Sequence, residues 1–99
     1  MVVVEDPEPV AVGGTCVNDG VLHVWGMWTD PAHRHRGHAW AVLDALLPPG
    51  RRAQLDVNVA NGGAREMYER YGFVGTGRLE PLRPGSDQRI ELMVLSRRG

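Results

Sequence analysis

The chain has 99 residues, 42% of them hydrophobic and 23% charged, with a formal net charge of -1. That length bounds it to one domain, residues 1-99, near the lower end of what buries a core unaided, and the composition excludes a disordered or collagen-like chain. A near-neutral balance gives no basic field for nucleic acid or an anionic membrane; with Cys16 as the one cysteine, no apolar run of membrane-spanning length and no signal-like start, a cytoplasmic protein is expected.

Val2 to Val4 is a short β-branched strand, ended by Asp6-Pro7-Glu8-Pro9, whose prolines remove ladder donors. Val10 to Val17 reads as a second strand weakened by Gly13 and Gly14, and Asn18-Asp19-Gly20 supplies the positive-φ residues of a tight hairpin. Val21 to Thr29 is apolar on both faces and reads as a central strand, with Gly26 marking a bulge or a close backbone approach. The period then changes. Ala39, Val42, Leu43, Leu46 and Leu47 predict a helix from about Gly37 to Leu47, stopped by Pro48-Pro49-Gly50. Ala53, Leu55, Val57 and Val59 alternate with polar residues as a strand does. A second helix follows, with Asn61 as N-cap, Ala64, Met67, Tyr68 and Tyr71 on one face, and Gly72 at its stop. Phe73 to Leu79 and Arg89 to Leu95 complete the order β-β-β-α-β-α-β-β, a mixed α/β sheet with helices packed on it.

Chemistry concentrates in RHRGHAW, residues 34 to 40, where a strand hands over to a helix. Up to four backbone N–H groups at a helix start have no intrahelical partner, and the helix dipole places about half a positive charge there. Gly37 lets the backbone approach a ligand, Arg34 and Arg36 add charge, and Ala39 keeps the first turn uncluttered, which together describe a pyrophosphate cradle in which His35 and His38 need not be ligands. Two other readings compete. His33, His35 and His38 have the H-x-H-x-x-H spacing of some dinuclear metallohydrolases, although Gly37 stands where an acidic ligand belongs and the interleaved arginines repel a dication. The stretch also reads as a solvated, charged turn.

MWTDPAHRHRGHA (27 to 39) followed by LDVNVANGGAREMYERYGFVGTG (55 to 77) resembles the GNAT superfamily of acetyl-CoA-dependent N-acetyltransferases. Arg34, Gly37 and Ala39 fill the defining positions of that family's R-x-x-G-x-G/A loop, and Leu55, Val57, Asn61, Ala64, Tyr68, Gly72 and Phe73 match its later block in register. TGRLEPL and IELMVL are similar to its last two strands. The resemblance covers nearly the whole chain. It departs at Thr29, usually valine, and at His35, usually glycine. Met1 also opens what corresponds to the family's second strand, so the segment that covers the first sheet edge and walls the acceptor side is expected to be missing, or supplied by a partner chain.

The resemblance implies an α+β fold with a mixed, mostly antiparallel sheet flanked by two helices. It also implies direct transfer of an acetyl group from acetyl-CoA, as co-substrate, to a primary amine of a small molecule or peptide, without metal. Met27, Trp28 and Thr29 would pair with pantetheine, and residues Arg34, His35, Arg36, Gly37, His38 and Ala39 would hold pyrophosphate. Asn61, Ala64 and Tyr68 would face the same cleft. Tyr68 aligns with the family's proton donor; a core tyrosine is the alternative. Some members carry a glutamate base eleven residues before the loop, a position held here by His23, which also reads as an ordinary sheet-face histidine. Tyr71 is expected in the core and Cys16 to be structural. A CoA-binding or sensor module without turnover, and a histidine-cluster metal hydrolase, are the alternatives to an enzyme of this kind. An unpaired edge at Val2 to Val4 predicts a homodimer.

Overall fold

The computed structural model describes residues 1–5, 7–34 and 36–95. Six strands, β1 (Val2–Glu5), β2 (Pro9–Asn18), β3 (Val21–Thr29), β4 (Ala53–Asn58), β5 (Val74–Pro81) and β6 (Arg89–Leu95), form one sheet of order β1-β2-β3-β4-β6-β5. A 3₁₀ turn, Pro31–His33, and helix α1 (His38–Leu46) join β3 to β4, and helix α2 (Gly62–Tyr71) joins β4 to β5. Every neighbouring pair is antiparallel except β3–β4. The mixed, mostly antiparallel sheet with two helices is therefore as expected, and predicted boundaries hold within two residues.

Local chemistry explains the ends of the elements. Asp19 and Gly20 both take positive φ, +50° and +78°, in the turn between β2 and β3, as a hairpin whose twist matches its strands requires. The Asn61 side chain accepts the Ala64 N–H at 3.1 Å and caps α2. At the other end of α2 the amides of Gly72 and Phe73 both return to the Tyr68 carbonyl, so Phe73 belongs to the helix stop and β5 begins one residue later than expected. Gly13 and Gly14 remain inside β2. A side chain at Gly13 would run into Met27, Val42 and Leu46, and one at Gly14 into the Trp25 indole, so both positions are kept bare for packing.

Both helices lie on one face of the sheet. Leu43 and Leu47 of α1 and Tyr68 and Tyr71 of α2 pack with Leu22, Val24, Ala53, Leu55, Val57, Phe73, Met93 and Leu95. Complete burial of a side chain such as Phe73 or Leu55 contributes about 1.5–3 kcal/mol. Trp40 meets Tyr71 edge-on at 4.7 Å and ties the helices together, while the Tyr71 phenol donates to Asp44 at 2.8 Å. Tyr71 is core, as expected. The alternating residues, among them His23, Gln54, Asp56, Ile90 and Leu92, face the other side, which no helix covers among the described residues. Cys16 is on that side, opposite His23 and exposed. Among the described residues no helix is long and apolar enough to cross a membrane.

One buried charge was not anticipated. Glu91 of β6 is 7% exposed and lies on the helix-covered face, where Arg65 of α2 donates to its carboxylate and the Gly77 N–H adds a bond of 3.0 Å. The Arg65 hydrogen bond, then the Gly77 N–H, hold the Glu91 carboxyl below its ordinary value. A group depressed on folding stabilises the native state above its unfolded pKa, and that contribution disappears as pH falls through the folded value. Thermal unfolding followed by circular dichroism should therefore show a falling midpoint below about pH 4.3, and Glu91→Gln should lower the midpoint at pH 7 while flattening that acid slope. A variant with an undiminished slope would assign the acid sensitivity elsewhere.

Candidate functional site

The sheet opens at its middle. Strands β3 and β4 pair at Leu22–Ala53 and His23–Gln54 and then part. Past that point β4 follows β6 to Asn58, whereas β3 follows β2 through an irregularity in which Gly26 and Met27 stand against Gly13 alone. Gly26 has φ +65°, so the bulge read from its position in the strand is present, and it bends β3 away. The result is a cleft of about 250 Å³ lined by Val24, Trp25, Gly26, Met27 and Leu55 and by Asp56, Asn61 and Tyr68.

The helix α1 starts beyond the end of β3. Its N-cap, Gly37, has φ +78° and makes no side-chain capping bond, and the first intrahelical bond runs from Ala41 N to Gly37 O. The amides of His38, Ala39 and Trp40 are thus left without intrahelical acceptors, and the first turn carries no acidic residue to occupy them. A Cβ on Gly37 would enter open space, so a ligand can approach the backbone there, and Arg34 and Arg36 are exposed beside it. These features fit an anionic diphosphate. His35 lies outside the described residues. The His33 and His38 rings stand 6.3 Å apart, and His33 Nδ1 is 3.6 Å from Asp30. Among the described residues no three potential metal ligands come together.

Of the candidate residues, Met27, Asn61 and Tyr68 come together in the cleft, while Ala64 packs half-buried against the core beneath it. Trp28 is 47% exposed and Thr29 half-buried, both beyond the bulge on the way to α1. Tyr68 is 8% exposed, with its ring 6.0 Å from Phe73, and burial pushes its phenol above the ordinary value. The phenol therefore holds its proton at neutral pH, and no hydrogen bond to its oxygen is present among the described residues.

His23 lies outside this cleft, on the uncovered face, in a second cavity of about 220 Å³ whose walls include Gln54, Asp56, Arg78 and Glu80. Its Nδ1 is 3.3 Å from Gln54 Nε2 and its Nε2 is 3.9 Å from Asp56 Oδ2. With Gln54 donating, the neutral ring keeps its proton on Nε2; turning the amide over lets Nδ1 donate to the carbonyl oxygen and frees the Nε2 lone pair. Asp56 lines both cavities and is the residue that sequence reading missed. In an alternating strand it has the pattern of a solvated polar position, and only the parting of β3 from β4 distinguishes it.

A model of the acetyltransferase (GNAT) family matches residues 1–73. Among solved structures, nourseothricin acetyltransferase superposes with a TM-score of 0.77 at 20% identity over 93% of this chain. The ribosomal-protein-S18-alanine N-acetyltransferase from Escherichia coli gives 0.74 at 22% over 97%, and Ard1 from Thermoplasma volcanium 0.78 at 19% over 95%. The chain spans 60%, 68% and 67% of those three proteins, respectively. No curated protein sequence matches it. With the family model matching well over half of its length, the chain belongs to the acetyltransferase (GNAT) family.

Proposed function

We propose that the protein is an acetyl-CoA-dependent N-acetyltransferase, its 99 residues acting as one catalytic domain in the cytoplasm, and that it moves an acetyl group directly to a primary amine. The observation that carries this reading is the parting of β3 and β4 into a cleft lined by Met27, Asn61 and Tyr68, together with the open amides at the start of α1. Acetyl-CoA supplies the activated acyl thioester. Residues Arg34, Arg36, Gly37, His38 and Ala39, with His35 of the same loop, bind the diphosphate through backbone N–H groups and guanidinium charge. Met27, Trp28 and Thr29 offer backbone to the pantetheine arm, and Asn61 and Ala64 shape the opposite wall. His23 takes the proton from the acceptor ammonium in the Gln54 arrangement that leaves Nε2 unprotonated. Tyr68 gives its proton to the departing thiolate, whose basicity approaches that of a phenol. The nourseothricin and ribosomal-protein-S18-alanine acetyltransferases among its structural neighbours support an acceptor that is an amine of a small molecule or a peptide.

Calorimetric titration with CoA tests the cradle. Gly37→Glu should abolish binding, since a carboxylate would then occupy the position of the diphosphate, and wild-type affinity in that variant would remove the phosphate site. In steady-state assays of thiol release with an amine acceptor, Tyr68→Phe should leave CoA affinity nearly unchanged and lower kcat by about ten- to a thousandfold. His23→Gln should flatten the acid limb of the kcat/KM profile. Tight CoA binding without thiol release from any amine would instead identify a binding module.

The assembly we propose is a symmetric dimer. Among the described residues strand β1 pairs on one side only, with β2, and leaves the sheet edge bare at Val2–Glu5. Light scattering at micromolar concentration should give about twice the mass of the 10.9 kDa chain, and a fully active monomer would refute the dimer.

A further inference from the structure

The cavity on the uncovered face has a charge pattern that selects among amines. At one end Arg78 Nη2 and Glu80 Oε1 are 3.3 Å apart and neutralise one another. At the other end Asp56 has no such partner among the described residues. Its nearest cationic candidate is His23 Nε2 at 3.9 Å, beyond hydrogen-bond distance, and its carboxylate accepts no side-chain hydrogen bond among the described residues. Ile90 and Leu92, both half-buried, supply an apolar strip between the two ends. Two atoms 3.9 Å apart leave room for one nitrogen about 3 Å from each, so, with the Gln54 amide turned to accept from Nδ1, a single ammonium can donate to Asp56 Oδ2 and to His23 Nε2 together. Asp56 also lines the cleft between β3 and β4, so it is a residue the two cavities share.

We infer that Asp56 is the specificity-determining residue of the acceptor site, and that the acceptor is a primary alkylammonium with an apolar stem and no carboxylate on the carbon bearing the amine. This rests on the acetyl-transfer reading above and narrows its acceptor. The stem lies along Ile90 and Leu92, where each buried methylene strengthens binding by about three- to fourfold. A carboxylate beside the amine would be brought within a few ångströms of Asp56, and like charges about 4 Å apart repel enough to cost about sixfold in affinity at the dielectric of water and well over tenfold at that of a protein surface. Free α-amino acids are thereby rejected, whereas amines at the end of an alkyl chain are accepted.

The test compares pentylamine, norleucine and norleucinamide, which share the amine and most of the stem and differ in the group beside the amine. Each is titrated into the protein, with and without saturating CoA, and followed by nuclear magnetic resonance; acetyl transfer to each is measured as thiol release. The chain contains no lysine, so no side-chain amine of its own competes for the acetyl group. Pentylamine and norleucinamide should bind at least about tenfold more tightly than norleucine, with kcat/KM in the same order. In Asp56→Asn, a change of similar shape, that discrimination should vanish. Equal affinity for norleucine and norleucinamide in the wild-type protein, or discrimination that survives in Asp56→Asn, would overturn the inference. Failure of CoA to bind would strike the acetyl-transfer reading, whereas CoA binding with indiscriminate amine binding would strike the role of Asp56 alone.

Discussion

Two adjacent parallel strands that share only two residue pairs divide the sheet into β1-β2-β3 on one side and β4-β6-β5 on the other. Each strand of the parting pair keeps its outer neighbour along its length, so the opening takes nothing from the two halves beyond the bonds between them. The bulge at Gly26 and Met27 supplies the bend, and Gly13 supplies the clearance, since a side chain there would strike Met27 and the residues of α1. The helices then bridge the halves from one face through Leu43, Leu47, Tyr68 and Tyr71. The start of α1 lies beyond the end of β3, and Tyr68 and Asp56 both line the cleft that the parting opens.

Placing both helices on one face gives the two sides of the sheet different jobs. The covered side buries the apolar alternates of β3, β4 and β6, together with one charge, Glu91, kept by Arg65 and a backbone amide. The uncovered side carries the polar alternates, and there His23, Gln54 and Asp56 form a cavity of their own. In the proposed reaction the two substrates meet at the parting from opposite faces, so neither has to pass the other.

Local features were legible in the sequence because they have local causes. The hairpin at Asn18 to Gly20, the cap at Asn61, the stop at Gly72 and the bulge at Gly26 each follow from what a residue does to its own backbone. Gly13 and Gly14 were misleading for the opposite reason: they read as weaknesses of β2, but their bareness answers to Trp25, Met27 and α1, distant in sequence. The insertion of β6 between β4 and β5, the Glu91–Arg65 pair and the position of Asp56 on two cavities likewise depend on which strands become neighbours. Alternation of polar and apolar residues gives the face of a strand but not its partner. The resemblance to known acetyltransferases supplied the cleft residues Met27, Asn61 and Tyr68, and could not supply Asp56, which occupies an unspecified position in the family's pattern.

The opening at the middle of the sheet also has a consequence for how the molecule breathes. On the facing edges of β3 and β4, backbone groups past His23 and Gln54 have no strand partner among the described residues, so the two halves are joined there by the fewest cross-strand bonds. A polar chain lying in the slot would act as a strand that the polypeptide does not contain, and its binding free energy would be added to the folding free energy, about 2.7 kcal/mol at a hundredfold excess over Kd. Occupancy then protects the amides lining the slot against both local and global opening, whereas the amides of the β4–β6 ladder gain only the global increment.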